Sequence, residues 1–190
     1  MCSKANNKTG ALRRIRKFIS VDKATLLYNA FILSVFNYCP IIWMFCSKGC
    51  DNLINKTQQR ALRVVYRLPN STLTELLEIN NSSSIHLCNL RKLMYEVFKS
   101  LNQLNPVFMS ELFILKPVPT KLRSQKLLIL PEHKPSEKTR SKGADTHLYR
   151  SITIWNSLDP SLMEAKTLAE FKSGLKSWYG KGCICKICRT

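Results

Sequence analysis

The sequence predicts an all-α fold: a helical bundle, followed by a basic linker and a short helical segment that ends in cysteines. Three observations support this prediction. Apolar residues make up 45% of the 190 residues, which is enough for a hydrophobic core. These residues recur with helical spacing in several segments. Capping residues, prolines and polar turns mark where those segments begin and end.

The N-terminal part of the chain predicts two helices. Residues 1–9 are polar and are expected to fray, and residues 12–19 form a short helix whose apolar face is Leu12, Ile15 and Ile19. Ser20 caps the next segment, residues 24–46, which is apolar nearly all round and which Pro40 kinks or ends. We interpret residues 24–46 as a buried central helix. Their length also fits a membrane span, so a membrane-anchored chain is an alternative.

The middle of the chain predicts three further helices. A basic helix covers about residues 51–67, and the turn at 68–71 stops it. A short helix follows at 72–79, and the polar turn at 80–84 caps an amphipathic helix that closes at 105–106. The apolar face of that amphipathic helix consists of Leu90, Leu93, Met94, Val97, Phe98 and Leu101.

The composition changes after residue 115. Residues 116–145 are rich in Lys, Arg and Ser and contain four prolines, which is typical of a basic linker, although 127–130 are compatible with a short strand. Helical structure returns at 147–158, and Thr167 with Glu170 predicts a capping box for a last helix. The predicted regions are a basic helical region over 1–70, helices completing the bundle over 71–115, the linker over 116–145, and a C-terminal segment with a Cys-rich tail over 146–190.

The positive charge is concentrated at the two ends of the chain. The formal net charge is +18, and residues 71–115 contribute almost none of it. Within residues 51–67, the four cations Lys56, Arg60, Arg63 and Arg67 lie within about 60° of one another on a helical wheel, opposite the apolar face. Arg13, Arg14 and Lys17 likewise face away from the apolar side of residues 12–19.

These cationic faces predict binding to a nucleic-acid backbone. Basic helix faces are often only solvated, but acids are too few here for i,i+4 ion pairs to account for them. The sequence shows no enzyme site. No two acids are adjacent, no Gly-rich phosphate loop is present, and His86, His133 and His147 lie far apart.

The sharpest cluster of reactive side chains is the tail Cys183, Cys185 and Cys188. The Cys-x-x-Cys spacing lets two thiolates bind one zinc ion, but zinc prefers four ligands, so another residue such as His147 would have to complete the site. A redox pair and a simply exposed Cys-rich end are the alternatives. The other cysteines lie largely in apolar contexts and no signal peptide is visible, so we expect an intracellular protein, nuclear or cytoplasmic, with reduced thiols.

Several ordered stretches resemble one family. They are residues 12–18 (LRRIRKF), 27–34 (LYNAFILS), 36–43 (FNYCPIIW), 59–63 (QRALR), 154–158 (IWNSL), 171–176 (FKSGLK) and 183–190 (CICKICRT). Together they resemble the region after the catalytic palm in reverse transcriptases of non-LTR (LINE-like, jockey-type) retrotransposons.

The resemblance implies a thumb-like helical bundle with a C-terminal extension. It makes Lys56, Arg60, Arg63 and Arg67 candidate contacts to the template–primer backbone, whether RNA, DNA or a hybrid, with Arg13, Arg14 and Lys17 as weaker candidates. The palm's Tyr/Phe-x-Asp-Asp motif is absent, so the expected function is that of a non-catalytic fragment, partnered by a palm domain in a longer chain. The alternative is an inert or protein-interacting helical remnant without a nucleic-acid role.

Overall fold

The computed structural model describes residues 1–117, 126–131 and 146–188. Helices are the regular structure of these residues, and they contain no β-strand, only an isolated antiparallel bridge between Leu115 and Leu128. The all-α prediction is therefore confirmed. The chain divides into a first unit, Met1–Asn89, and a second unit, Leu90–Thr190, and the two units are described separately below.

The first unit is built from short and long helices in succession. They are α1 (Cys2–Ile15), a 3₁₀ turn (Arg16–Phe18), α2 (Val21–Leu27), a π-helical segment (Tyr28–Leu33), α3 (Ser34–Asn37), α4 (Pro40–Trp43), α5 (Lys48–Tyr66), α6 (Leu73–Ile79) and the start of α7 (Ile85–Leu101). The second unit holds the rest of α7, then α8 (Val107–Ser110), α9 (His147–Asn156), α10 (Pro160–Met163) and α11 (Leu168–Gly174).

Many of these helices have a Ser or Thr side chain as their N-cap. In each case the hydroxyl oxygen accepts a hydrogen bond from the backbone N–H three residues later, as at Ser20, Ser47, Thr72, Thr146 and Thr167. Thr72 and Glu75 form a complete capping box. The capping box predicted at Thr167 is only half formed, because the Glu170 carboxylate accepts from the backbone N–H of Lys166 instead.

The core of the first unit forms where α5 packs against α1, α2, the π-helical segment and α6. Its buried apolar side chains are Ala5, Leu12, Ala24, Tyr28, Ile32, Phe36, Ile54, Ala61, Leu62, Val65, Leu76 and Ile85. The predicted apolar face of the basic helix is therefore largely buried. Of the residues predicted for that face, Ile54, Ala61 and Val65 are buried. Leu68 is the exception and is 38% exposed, because α5 ends at Tyr66 and Arg67 adopts a left-handed conformation.

The prediction that residues 1–9 fray is wrong. α1 begins at Cys2 and buries Ala5 and Thr9, which are four residues apart and therefore on one face. The Thr9 hydroxyl donates to the Ala5 carbonyl oxygen at 2.9 Å, so this polar residue is satisfied within the helix. Small side chains at these positions permit close packing, which a count of large apolar residues does not detect.

The predicted helix 12–19 is also corrected. α1 ends at Ile15 and the chain tightens into the 3₁₀ turn, which rotates the expected apolar face. Leu12 is buried, but Ile15 is 44% exposed, and Arg16 is buried instead. The side chain at position 16 therefore takes the place predicted for Ile15.

Residues 24–46 are not one buried helix. They divide into α2, the π-helical segment, α3 and α4, and Cys39 adopts a left-handed conformation before Pro40 starts α4. One side is buried, but Leu26 and Ile42 are 67% and 78% exposed, so the segment covers the core from outside. Across the described residues, every helix is too short or too polar to cross a membrane.

The second unit packs around the ring of Phe171 on α11. This ring stacks on Phe98 of α7 with 4.5 Å between centroids, and it lies 5.7 Å from the Trp155 ring of α9. Leu90, Leu93, Met94 and Val97 on the predicted face of α7 are buried, while Leu101 at its end is half-buried. The predicted amphipathic helix thus supplies one wall of this core.

Part of the predicted linker belongs to the packed structure of the second unit. Leu128 is fully buried, and its backbone N–H and carbonyl both bond to the Asn156 side-chain amide, at 2.8 and 2.9 Å. The Trp155 indole N–H donates to the Lys126 carbonyl at 2.7 Å. Residues 127–130 contribute the Leu115–Leu128 bridge rather than a strand, and the rest of the predicted linker, 118–125 and 132–145, lies outside the described residues.

Candidate functional site

A basic groove lies on the first unit, where the end of α1 and the 3₁₀ turn meet the last turns of α5. The groove has a volume of about 620 Å³, and six of its eight lining residues are Arg or Lys. They are Arg13, Arg16, Lys17, Arg60, Arg63, Val64, Arg67 and Pro69. We call this the cationic groove.

The groove unites two cation sets that the sequence predicted separately. Arg13 lies at the end of α1 and Lys17 in the 3₁₀ turn that follows it. On the other side, Arg60 and Arg63 lie on α5, and Arg67 is the residue that ends it. Five of the seven predicted nucleic-acid-binding residues thus line one surface. Their role remains a prediction.

The other two predicted residues do not line this groove. Lys56 is exposed one turn before Arg60 on α5, and Arg14 is exposed next to Arg13 on α1. Successive helix residues point about 100° apart, so Arg14 is directed away from the surface that Arg13 faces.

Arg16 is the groove residue that sequence reasoning missed. Only 6% of it is exposed, and its Nε donates to the Val65 carbonyl at 2.7 Å while its Nη1 donates to the Ile19 carbonyl at 2.8 Å. The spacing offered a signal, because position 16 follows Leu12 by four residues and so shares its buried face. Arg16 therefore holds the 3₁₀ turn against α5 as well as contributing charge.

Two other groove arginines are also positioned by backbone carbonyls. Arg63 Nε donates to the Ser71 carbonyl at 2.9 Å, and Arg67 Nη2 donates to the Arg16 carbonyl at 2.9 Å. Each bond uses one of the five N–H donors of a guanidinium group. The groups are thereby oriented, while donors remain for a ligand in the groove.

No carboxylate is among the residues that line the cationic groove. Two acids of α5 and α6 have local structural partners: the Asp51 carboxylate accepts from the Asn55 amide at 2.8 Å, and Glu75 completes the cap of α6. With no acid in its lining, the groove concentrates positive potential that an anion would neutralise.

A second, apolar groove lies on the same unit, between α1 and the π-helical segment. It has a volume of about 250 Å³, and its lining is apolar except for Lys8. The Lys8 ammonium donates to the Phe31 carbonyl at 2.8 Å. A protein-interacting module, the alternative function, would need an apolar surface of this kind.

The tail of the second unit brings its three cysteines together. The sulfur atoms of Cys183, Cys185 and Cys188 lie within 4.8 Å of one another, and none of the three forms a disulfide. Sulfur atoms bound to one tetrahedral zinc ion lie about 3.8 Å apart, given Zn–S bonds of about 2.3 Å. This thiol cluster could therefore hold a metal ion.

Local backbone geometry creates the thiol cluster. Gly182 has a φ of 86°, and a Cβ at this position would overlap the Ser157 side chain, so the tight approach of the tail to α9 requires glycine. The Ser157 hydroxyl donates to the Lys181 carbonyl at 3.0 Å, and the Cys188 N–H donates to the Cys185 carbonyl at 3.1 Å.

The thiols also influence one another electrostatically. Hydrogen bonds that the Cys188 thiol makes with Cys183 and Cys185, together with burial, raise the pKa of Cys188 well above its ordinary value. Without a cation, three adjacent sulfurs cannot all be thiolates. A bound divalent cation reverses this preference because it stabilises the thiolate form.

The three histidines of the chain, of which His147 was predicted to complete a zinc site at this tail, differ in position. His147, predicted as a fourth ligand, lies outside the thiol cluster at the start of α9, where burial and Arg150 lower its pKa. His133 lies outside the described residues. In the first unit, His86 is buried with Nδ1 at 3.2 Å from the Met44 carbonyl oxygen. That oxygen can only accept, so a hydrogen bond between these two atoms requires the proton on Nδ1.

Comparison with known proteins finds no match among protein-family models, curated proteins or solved structures. The resemblance to retrotransposon reverse transcriptases therefore rests on the sequence stretches quoted above.

Proposed function

We propose that the cationic groove binds the sugar–phosphate backbone of a nucleic acid. The observation that carries the proposal is the lining itself: Arg or Lys at six of eight positions and no carboxylate. Phosphate oxygens are the common polyanionic ligand for such a surface.

The arginines of the groove are better suited to phosphate groups than to a monatomic anion. A guanidinium group offers a planar fork of N–H donors that matches two phosphate oxygens, and Arg63 and Arg67 are already oriented by their carbonyl bonds. Pre-orientation lowers the conformational entropy lost on binding. Because no base-reading pattern is evident, we expect affinity with little sequence preference.

The family resemblance suggests in which protein, and on which nucleic acid, the groove would act. In that reading the chain is a non-catalytic fragment of a non-LTR retrotransposon RNA-directed DNA polymerase. Its first unit acts as the thumb that grips a template–primer duplex, and a palm domain in a longer chain is its partner. RNA, DNA and hybrid duplexes are all candidate ligands.

The test is binding of the purified chain to a labelled RNA–DNA duplex, titrated across salt concentration. We expect the logarithm of the binding constant to fall steeply with the logarithm of salt concentration. The double variant Arg13→Gln with Arg60→Gln removes two exposed groove cations and should reduce that slope by about 2, or about 1 for each cation.

A charge-matched variant provides the control. Lys23→Gln with Lys48→Gln removes two exposed cations of the same unit that do not line the groove, and should leave the slope close to that of the parent chain. Equal slopes for the two double variants would reject the groove assignment. If the folded parent chain did not bind the duplex at low salt, the alternative of an inert or protein-interacting chain would be favoured.

We propose zinc binding by the thiol cluster as a second function, carried by the proximity of its three sulfurs. Zinc suits a thiolate-rich site, and structural zinc sites take four ligands. When bound, the ion would fix the tail and hold the cysteines as thiolates. The cluster supplies three ligands, and another residue of the chain supplies the fourth.

Zinc titration against a chromophoric chelator tests this second function. Cys183→Ser, Cys185→Ser and Cys188→Ser should each weaken zinc binding, and Cys50→Ser, an exposed cysteine of the first unit, should not. His86→Gln, His133→Gln and His147→Gln then search for the fourth ligand. If the parent chain takes up no zinc, the proposal fails.

A further inference from the structure

Phe18 is a large aromatic side chain that the first unit leaves in solvent. It ends the 3₁₀ turn and is 77% exposed, although the preceding residue, Lys17, lines the cationic groove. Burial of an aromatic ring is favourable, so a ring held outside the core beside a charged groove suggests a role in binding.

The turn that carries Phe18 is fixed from both sides. Arg16 donates to the carbonyls of Val65 and Ile19, and Arg67 donates to the carbonyl of Arg16. The residues that form the groove therefore also fix the backbone two positions before the ring. A ring on a fixed turn loses little conformational entropy when a ligand packs on it.

The ring already interacts with the groove's charge. The Lys17 ammonium lies 4.8 Å from the centroid of the Phe18 ring, a cation–π contact. Proteins that bind single-stranded nucleic acid combine these two elements, cations that follow the backbone and an aromatic ring that accepts a base.

We propose that Phe18 stacks on an unpaired nucleobase of the strand whose phosphates occupy the cationic groove. This inference rests on the proposed function of the groove and makes its ligand more specific: a single strand, or a duplex with an unpaired end. Base stacking tolerates any sequence, because every base has a π-face.

Other exposed aromatic residues of this unit do not share this setting. Tyr38 is 76% exposed and Phe31 is 55% exposed, but Tyr38 neighbours no groove residue in sequence, and Phe31 lines the apolar groove. Tyr38 therefore provides a matched control for removal of an exposed ring.

The experiment measures affinity for three ligands: a single-stranded oligonucleotide, the same strand with abasic sites, and a blunt duplex. Phe18→Ala should weaken single-strand binding by about 5- to 150-fold, the range for loss of one stacked base, with an unchanged salt slope. Phe18→Tyr, which keeps the ring, should bind like the parent chain, and so should Tyr38→Ala. On the abasic strand, Phe18→Ala should bind as the parent chain does.

The outcomes distinguish failure of the Phe18 stacking proposal from failure of the cationic-groove assignment. If the parent chain binds and Phe18→Ala binds the single strand equally well, the stacking role is overturned while the groove assignment stands. If Phe18→Ala lost equal affinity for the normal and abasic strands, stacking would also be overturned, because the ring would then affect binding by stabilising the fold. If the folded parent chain binds none of the ligands, the groove assignment itself fails.

Discussion

Arg67 donates a hydrogen bond from Nη2 to the backbone carbonyl oxygen of Arg16 at 2.9 Å. Arg16 in turn donates from Nε to the carbonyl of Val65, near the end of α5, at 2.7 Å. These two reciprocal bonds join segments that are about fifty positions apart in sequence. They place the cations of α1 and α5 on one surface, so the fold of the first unit and its charge depend on the same side chains.

Replacing Arg16 should destabilise the first unit. Arg16→Ala loses two charge-assisted hydrogen bonds and leaves the Val65 and Ile19 carbonyls without this donor, which should cost about 2–4 kcal/mol. Hydrogen exchange at the amides of α5 measures the loss, since it reports local stability without requiring the two units to unfold together. Arg14→Ala, at an exposed position of α1, is the control and should change exchange little. Equal protection in the two variants would contradict the structural role of Arg16.

Tyr28 gives the first unit a specific dependence on alkaline pH. Burial raises its pKa from about 10 to about 12, and the Gln58 amide at 3.4 Å from its hydroxyl only partly opposes this. The unfolded chain therefore ionises Tyr28 first, so the stability from this residue is complete below pH 10 and is lost as the pH rises toward 12. The expected loss is about 2–3 kcal/mol, at 1.36 kcal/mol for each pKa unit.

Tyr28→Phe isolates this effect from the other groups that titrate in the same range. The measurement is denaturant unfolding of both proteins at a series of pH values between 9 and about 12. The stability of the parent chain relative to Tyr28→Phe should decline across this window. A constant difference between the two proteins would mean that Tyr28 is not buried as described.

In the second unit, Asn156 should control the packing of residues 126–131. Its side-chain amide pairs with both backbone groups of Leu128, so Asn156→Ala leaves a buried N–H and a carbonyl without partners, at about 1–3 kcal/mol for each. Trypsin should then cleave after Lys126 faster than in the parent chain. Thr153→Ala loses only a bond within α9 and is the control. Unchanged cleavage would show that the Trp155 bond and the Leu115–Leu128 bridge hold this segment without Asn156.

The elements that sequence predicted best are those whose evidence is local. The 3.6-residue period of α5 and the apolar face of α7 depend on residues a few positions apart, and both are found. In contrast, the burial of Arg16 depends on the carbonyl of Val65, and that of Leu128 on Asn156. Periodicity carries no information about partners so distant in sequence, and residues 126–131 were therefore assigned to a linker.

The candidate site likewise combines residues placed by one helix with residues placed by packing between helices. The helical wheel identified Arg60, Arg63 and Arg67 as one cationic face, because their arrangement follows from the helix alone. It could not show that Arg13 and Lys17 line the same groove, since this requires α1 to pack on α5. Phe18 had no signal either, because its exposure results from the 3₁₀ turn that replaces the last turn of the predicted helix.

Arg67 shows that charge and backbone preference conflict at the end of α5. It is not glycine, yet it has a φ of 57° and ends the helix in the left-handed region, which costs a side-chain-bearing residue about 1–2 kcal/mol. Arg67→Gly removes that cost and also removes the bond to the Arg16 carbonyl. The two effects are of similar size, so the free energy of unfolding should stay within about 1 kcal/mol of the parent value.

Nucleic-acid binding by Arg67→Gly should nevertheless weaken, with a salt slope smaller by about 1, because one groove cation is lost. The measurement pairs denaturant unfolding with binding to the RNA–DNA duplex across salt. An unchanged slope in a variant of unchanged stability would remove Arg67 from the proposed interface. A smaller slope at equal stability would mean that arginine is retained here for its charge, at a position where glycine suits the backbone better.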